Sequence, residues 1–156
     1  MYVAKITENL EDVAVAELKG KKILAGRVAF PRKKKEYRSV STVYKLLTKI
    51  EFKTVADIKK AAEKITYKFK GSVRVHCERE GTHEFKSVDV ERLVGSVLKE
   101  KGFQTDYKDA KQILYVDVTG KNCLMGLLEK EKLCRREYRI RINNQSINGC
   151  LAYAVT

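Results

Sequence analysis

Pro31 is the only proline in 156 residues, and there is no tryptophan. With one proline and nine glycines the chain is neither collagen-like nor a proline-rich disordered linker. No apolar run approaches the roughly 20 residues of a membrane span. The opening MYVAKITENLEDV also lacks the basic start and apolar centre of a secretory signal. The expected location is the cytoplasm. The four cysteines, Cys77, Cys123, Cys134 and Cys150, include no C-x-x-C pair, so no ordinary zinc module fits. A cytoplasmic chain also disfavours disulfides. Cys77 and Cys123 fall within strand-like runs and read as small buried hydrophobes. Glycine-rich dinucleotide and phosphate-binding loops are missing. Neither His76 nor His83 has a serine, cysteine or carboxylate pair at a spacing that suggests a triad or a metal.

Negative charge is scarce too. Lys and Arg number 33 against 20 Asp and Glu, for a net +13. The excess is uneven: residues 1–70 carry 18 basic and 8 acidic side chains, residues 71–128 carry 9 of each, and residues 129–156 carry 6 and 3. A field of this sign points to a polyphosphate partner, chiefly nucleic acid. A thermophile's charged surface is the competing explanation. It accounts for the 34% charged content but not for the one-sided sign. At 44% hydrophobic the chain can bury a core, as one large domain or two small ones.

Periodicity then places the elements. Tyr2 to Ile6 alternates as a strand. A helix over about Asn9 to Lys19 has Leu10, Val13, Ala14 and Leu18 as its buried stripe, with Gly20 as its stop. KILAGRVAF reads as two short strands around a turn at Ala25-Gly26, or one strand with a bulge. Val40, Val43, Tyr44 and Leu47 fall at helical spacing, so a second helix is expected over Val40 to Lys49, with Glu51 to Lys53 as a closing strand. That order is ferredoxin-like. Thr54 and Asp57 form a plausible capping pair for a helix buried through Val55, Ile58, Ala62 and Ile65. A strand through Val73, Val75 and Cys77 follows, then a helix from Ser87 with Val90, Leu93, Val94, Val97 and Leu98 on one face. Strands at Ile113 to Thr119 and Cys123 to Leu128 flank a turn at Gly120-Lys121-Asn122. The expectation is an α+β protein of two small modules without an internal repeat. The tail, KEKLCRREYRIRINNQSINGCLAYAVT, has a basic cluster of Arg135, Arg136, Arg139 and Arg141 and ends on an apolar LAYAV.

Two features could carry binding. In EGTHEFK, Ser87 is a suitable N-cap, and the helix start behind it could hold a phosphate between Arg79 and Lys86. Asp89 and Glu91 already answer the helix dipole, however, so an ordinary capped helix fits equally well. The second feature is a set of basic clusters: Arg32 to Lys35 with Arg38, Lys68 and Lys70, Lys108 and Lys111, and Arg135 to Arg141. Tyr37, Tyr67, Tyr107 and Tyr138 are interleaved with them, offering rings for unpaired bases.

The stretch from Phe69 to Glu129 resembles a THUMP domain, the RNA-binding module of tRNA-modifying enzymes. The resemblance lies in Phe69 and Arg74 of the strand and in R-x-G-x-H-x-F-x-S (Arg79, Gly81, His83, Phe85, Ser87). It extends to the helix glycine Gly95, the DYKDAK loop (Asp106 to Lys111), and Val116, Val118 and Gly120. Ala110 stands where the family often has proline. The N-terminal segment resembles the ferredoxin-like domain that precedes THUMP. The tail resembles the linker into the catalytic domain of THUMP-containing tRNA (guanine-N2) methyltransferases. This implies a ferredoxin-like domain at 1–53, a THUMP domain at 54–130 and a basic linker at 131–156. It implies binding of the tRNA acceptor stem and 3′ CCA end. RNA contacts are then expected from Arg74, Arg79, His83, Lys86, Lys108 and Lys111, with Lys33, Lys34, Lys35 and Arg136 from the flanking clusters. In such enzymes a Rossmann-like domain transfers methyl from S-adenosylmethionine through an N/D-P-P-Y motif, which a chain with one proline cannot contain. No cofactor site is expected in this chain, and the methyltransferase domain would be supplied in cis or in trans. The alternatives are a protein-interaction adaptor docking a catalytic subunit through LAYAV and the basic tail, or the THUMP module of another tRNA-modifying enzyme.

Overall fold

A computed structural model describes residues 1–133 and 149–155. Among these are seven strands and four helices, so the chain is α+β as expected. It divides into two compact units: residues 1–45 with 129–156, and residues 46–128.

The first unit opens with β1 (Tyr2–Lys5), α1 (Glu11–Leu18), β2 (Lys21–Leu24) and β3 (Arg27–Phe30). The turn between β2 and β3 falls at Ala25-Gly26, where Gly26 takes φ 69°. Next comes β4 (Thr42–Glu51), and here the structure corrects the reading. No helix occupies Val40 to Lys49. The stretch pairs antiparallel with β1, Ala4 opposite Val43 and Val3 opposite Tyr44. The helical spacing of Val43 and Tyr44 arose because both are fully buried while pointing to opposite sides of a strand covered on both. The β-branched and aromatic run Thr42-Val43-Tyr44 suits that setting. The strands lie in the order β2-β3-β1-β4, each antiparallel to its neighbour.

Two details of α1 also differ. Its left-handed C-cap is Lys19 (φ 53°), not Gly20. Glycine is needed at position 20 because a Cβ there would lie 2.4 Å from the Ala29 carbonyl oxygen. The buried face includes Glu11 beside Ala14 and Leu18. The core gathers Ala4, Ile6, Ala14, Leu18, Val28, Phe30, Val40 and Val43. α4 (Gly149–Ala154) belongs to the same unit, and Cys150 in it is disulfide-bonded, against the expectation for cysteine in this chain.

The second unit takes over within β4 and contains α2 (Val55–Glu63), β5 (Val73–Glu80), α3 (Ser87–Glu100), β6 (Gln112–Thr119) and most of β7 (Asn122–Lys130). Glu51 to Lys53, read as a closing strand, is the end of β4 and the turn into α2. β5 and β6 run parallel from Val73 opposite Gln112 to Glu80 opposite Thr119, so α3 is the crossover between them. β6 and β7 form a hairpin with Thr119 opposite Asn122, which shortens the loop to Gly120-Lys121. Val73, Val75 and Cys77, with Leu114, Val116 and Val118, line one sheet face. Ile58 and Ala62 of α2 and Val90, Val94, Val97 and Leu98 of α3 pack in the same core. Lys101 Nζ, just past α3, donates to the Ala62 and Ile65 carbonyls at 3.2 and 2.7 Å, closing the end of α2.

Candidate nucleic-acid interface

In the second unit the parallel pairing of β5 with β6 brings the β5–α3 turn beside the β6–β7 turn. Gly81, at φ 101°, bends the chain out of β5, and His83 spans the gap. Its Nε2 lies 2.7 Å from the Gly120 carbonyl oxygen, and its Nδ1 lies 3.3 Å from Arg79 Nη1. A carbonyl only accepts and a guanidinium only donates. Both contacts are therefore met by the neutral tautomer with hydrogen on Nε2 and a bare Nδ1. The ring sits 5.1 Å from Phe85 and 5.9 Å from Phe52, centroid to centroid. Phe52 N–H donates to the Lys121 carbonyl at 2.8 Å, which joins the start of α2 to the same corner.

These elements enclose an open groove of about 1090 Å³. Phe52, His83 and Phe85 give it an aromatic wall, and Lys53, Lys121, Glu51 and Glu84 are charged side chains on its rim. Lys53 and Lys121 were not singled out from the sequence, where they read only as strand-end and turn residues. The helix starts nearby are internally satisfied. The Asp57 carboxylate accepts the Lys53 and Thr54 N–H groups at 2.9 and 3.2 Å, as the capping pair predicts. That holds its pKa below the usual carboxylate value. For α3 the N-cap is Lys86 rather than Ser87, and the Asp89 carboxylate accepts the Lys86 N–H at 2.9 Å. The Lys86 side chain is exposed.

At the start of β5 the DYKDAK loop is stitched to the strand. The Asp106 carboxylate accepts the Lys108 and Asp109 N–H groups at 2.9 and 3.3 Å. Lys111 N–H donates to Ser72 Oγ at 3.2 Å, and Lys70 N–H to Gln112 Oε1 at 2.6 Å. Lys108 and Lys111 therefore have fixed backbones and exposed side chains. The Lys111 stem lies over Gly71, where a Cβ would come within 2.7 Å of its Cδ. Arg74 projects from the non-core side of β5, half-buried, with Tyr107 and Asp106 lining the same recess.

On that side His76 has Glu78 Oε1 3.6 Å from Nε2 and Glu91 Oε1 3.6 Å from Nδ1. Its pKa is raised, chiefly by Glu78 and also by Glu91, against burial and Arg74. Cys77 is pushed up to about 12 by burial, and Cys123 is also raised by burial, so both are inert thiols rather than nucleophiles. Among the described residues no cluster of His, Cys, Asp and Glu could hold a metal.

In the first unit the three lysines after β3 are not equivalent. Lys33 pairs with Glu129, which raises its pKa. Lys34 Nζ donates to the Glu17 carbonyl, and its N–H donates to the Tyr37 hydroxyl at 2.9 Å. Lys35 is exposed, with its carbonyl accepting Lys130 Nζ at 2.6 Å. Arg136 lies outside the described residues, as do Arg135, Arg139 and Arg141. The structure thus groups Arg79 with His83, and Lys108 with Lys111 and Arg74. Lys33, Lys34 and Lys35 are in the other unit.

No family model matches the chain. Over 86 residues it is 35% identical to a tRNA (guanine(6)-N2)-methyltransferase of Thermus thermophilus, spanning 54% of this chain and 26% of that enzyme. Over 59 residues it is 37% identical to a tRNA sulfurtransferase of Thermoplasma volcanium, spanning 37% of this chain and 12% of the relative. The crystal structure of TrmN from Thermus thermophilus superimposes with a TM-score of 0.65 at 25% identity, over 86% of this chain and 47% of that one. Both of these curated relatives are tRNA-modifying enzymes. This chain spans about a quarter of the methyltransferase and about half of the solved structure. No helix among the described residues is long and apolar enough to cross a membrane.

Proposed function

We propose that this chain is the tRNA-binding part of a cytoplasmic tRNA-modifying enzyme, with a ferredoxin-like domain at 1–53 that has no second helix between β3 and β4, a THUMP domain at 54–130 and a basic linker beyond. The carrying observation is that two similar proteins perform different chemistry, methyl transfer and sulfur transfer, on the same class of substrate. What this one chain has in common with two enzymes of different chemistry is more naturally the grip on tRNA than either reaction. The longer match is to the guanine-N2 methyltransferase, and on that basis the reaction served is methyl transfer from S-adenosylmethionine. The reacting groups and the cofactor domain lie on other polypeptide, in cis or in trans, because the N/D-P-P-Y motif needs two adjacent prolines and Pro31 stands alone.

The acceptor stem and its unpaired 3′ CCA end are the parts of tRNA engaged. Arg74, Lys86, Lys108 and Lys111 contact phosphate, while Arg79 and His83 hold the turn that shapes the groove. Lys35 and Arg136 extend the positive field. Filter binding with intact tRNA and with tRNA clipped at its 3′ end tests this. Tighter binding of the intact form, with a strong salt dependence, is expected. Equal affinity for both forms overturns the assignment to the acceptor end. Methyl transfer by this chain alone overturns the division of labour.

A further inference from the structure

Tyr107 is the one exposed tyrosine among the described residues, with 65% of its surface open to water. The other described tyrosines beside basic clusters are already engaged. Tyr37 is buried, with its hydroxyl accepting the Lys34 N–H and Lys130 Nζ 5.5 Å from its ring centre. Tyr67 stands edge-on to Phe69 at 5.0 Å and its hydroxyl accepts from Gln112. A single exposed ring is ordinary. The surroundings of Tyr107 are not.

Many lysines of this protein serve the fold: Lys22 pairs with Glu11, Lys33 with Glu129, and Lys34, Lys101 and Lys130 donate to backbone carbonyls. Lys68, Lys70, Lys108 and Lys111 differ. All four are exposed, and among the described residues none of them is in a salt bridge. The Ser72, Gln112 and Lys111 links, with the Val73–Thr105 bridge, bring residues 68–74 and 104–112 together. These two segments carry five basic side chains against Asp106 and Asp109. Each segment is a short basic cluster in the sequence, but residues 71–128 are neutral as a stretch, and the two clusters become one patch only once the chain folds.

We infer that this strap is a single-strand binding site, in which an unpaired nucleobase stacks on Tyr107 while its flanking phosphates meet Lys108 and Lys111. The inference rests on the proposed tRNA-binding function and adds a location and a contact to it. A free aromatic face among uncommitted cations suits single-stranded nucleic acid, because every base offers a π-face and its backbone runs alongside. A duplex hides that face within its stack. The loop's backbone is already fixed by Asp106 and Ser72, so little ordering is left to oppose binding.

The test compares Tyr107→Ala, Tyr107→Phe and Lys108→Gln/Lys111→Gln in this chain. The probes are tRNA, a short single-stranded RNA carrying a fluorescent adenine analogue quenched by stacking, and a blunt RNA duplex. The side chains are exposed, and matching thermal melts confirm folding. Tyr107→Ala should weaken single-strand binding by ~5-fold to ~100-fold and abolish the quenching. Tyr107→Phe should keep both. The double lysine variant should lower the salt slope by about 0.7 for each phosphate it no longer neutralises. If wild-type chain binds tRNA but Tyr107→Ala binds the single strand equally well, this inference falls and the tRNA-binding reading stands. If wild type binds no tRNA, both fall. Equal losses on single strand and duplex in every variant also overturn the stacking role.

Discussion

His83 donates its Nε2 hydrogen to the Gly120 carbonyl at 2.7 Å, tying the turn after β5 to the turn after β6. With Arg79 on the other ring nitrogen and Phe52 and Phe85 against its ring, this one side chain joins three separate pieces of the second unit. Both ring nitrogens are engaged within the protein.

His83→Ala should therefore destabilise the protein by about 0.5–1.5 kcal/mol, since it removes the hydrogen bond to the exposed Gly120 carbonyl. Urea unfolding reads this as a lower midpoint with an unchanged slope. A midpoint equal to wild type would mean that the ring does not hold the turns together.

Glu11 in the first unit gives an acid-side prediction. Its buried carboxylate accepts the Gly26 N–H at 2.9 Å. That bond, its own backbone N–H and Lys22 bring its pKa down from 4.5 to about 2. A depressed carboxylate stabilises the fold fully above its unfolded value, and the contribution is lost as pH falls from about 4.5 through about 2. Glu11→Gln should keep a hydrogen bond to Gly26 yet flatten stability across that window. Glu11→Ala should cost about 1–3 kcal/mol at neutral pH by leaving the Gly26 N–H unpaired. An acid-unfolding curve for Glu11→Gln that overlays wild type would contradict this.

His76 has the opposite sign. Held between Glu78 and Glu91, its folded pKa is raised above 6.5. Its stabilisation is complete below 6.5 and disappears as pH rises through the folded value. Nuclear magnetic resonance titration of the ring protons should give a midpoint above 6.5, and Glu78→Gln should lower it. A midpoint at or below 6.5 would show that the carboxylates do not hold the proton.

The lysines after β3 need separate treatment in any binding experiment. Reversing Lys33 would set a carboxylate against Glu129, and reversing Lys34 would break its bond to the Glu17 carbonyl, so both changes mix folding with binding. Lys35→Gln is the cleaner variant. It should leave the melting temperature alone and reduce the salt slope of tRNA binding by about 0.7–0.9. An unchanged slope would remove Lys35 from the interface.

Local pattern made much of the second unit readable. The alternation of Val73, Val75 and Cys77, the helical face of Val90, Val94, Val97 and Leu98, and the pairing of Thr54 with Asp57 are properties of short segments, and each is present in the fold. The first unit misled at Val40 to Lys49, because Thr42, Val43 and Tyr44 are buried in succession, which breaks the alternation at the start of β4 and mimics a helical face. Glu11 was equally hidden: its role depends on Gly26, fifteen positions away.

The sequence by itself determined the α+β class, the elements of the second unit and the excess of positive charge, since these follow from composition and from contacts within a few residues. Only the tertiary structure decided which charges are occupied and which are open. It placed Glu129 on Lys33, Gly120 on His83, and Lys70 and Lys111 at one strap. The reason is physical: a side chain's freedom to meet a ligand depends on the neighbours that strand pairing brings to it from far along the chain.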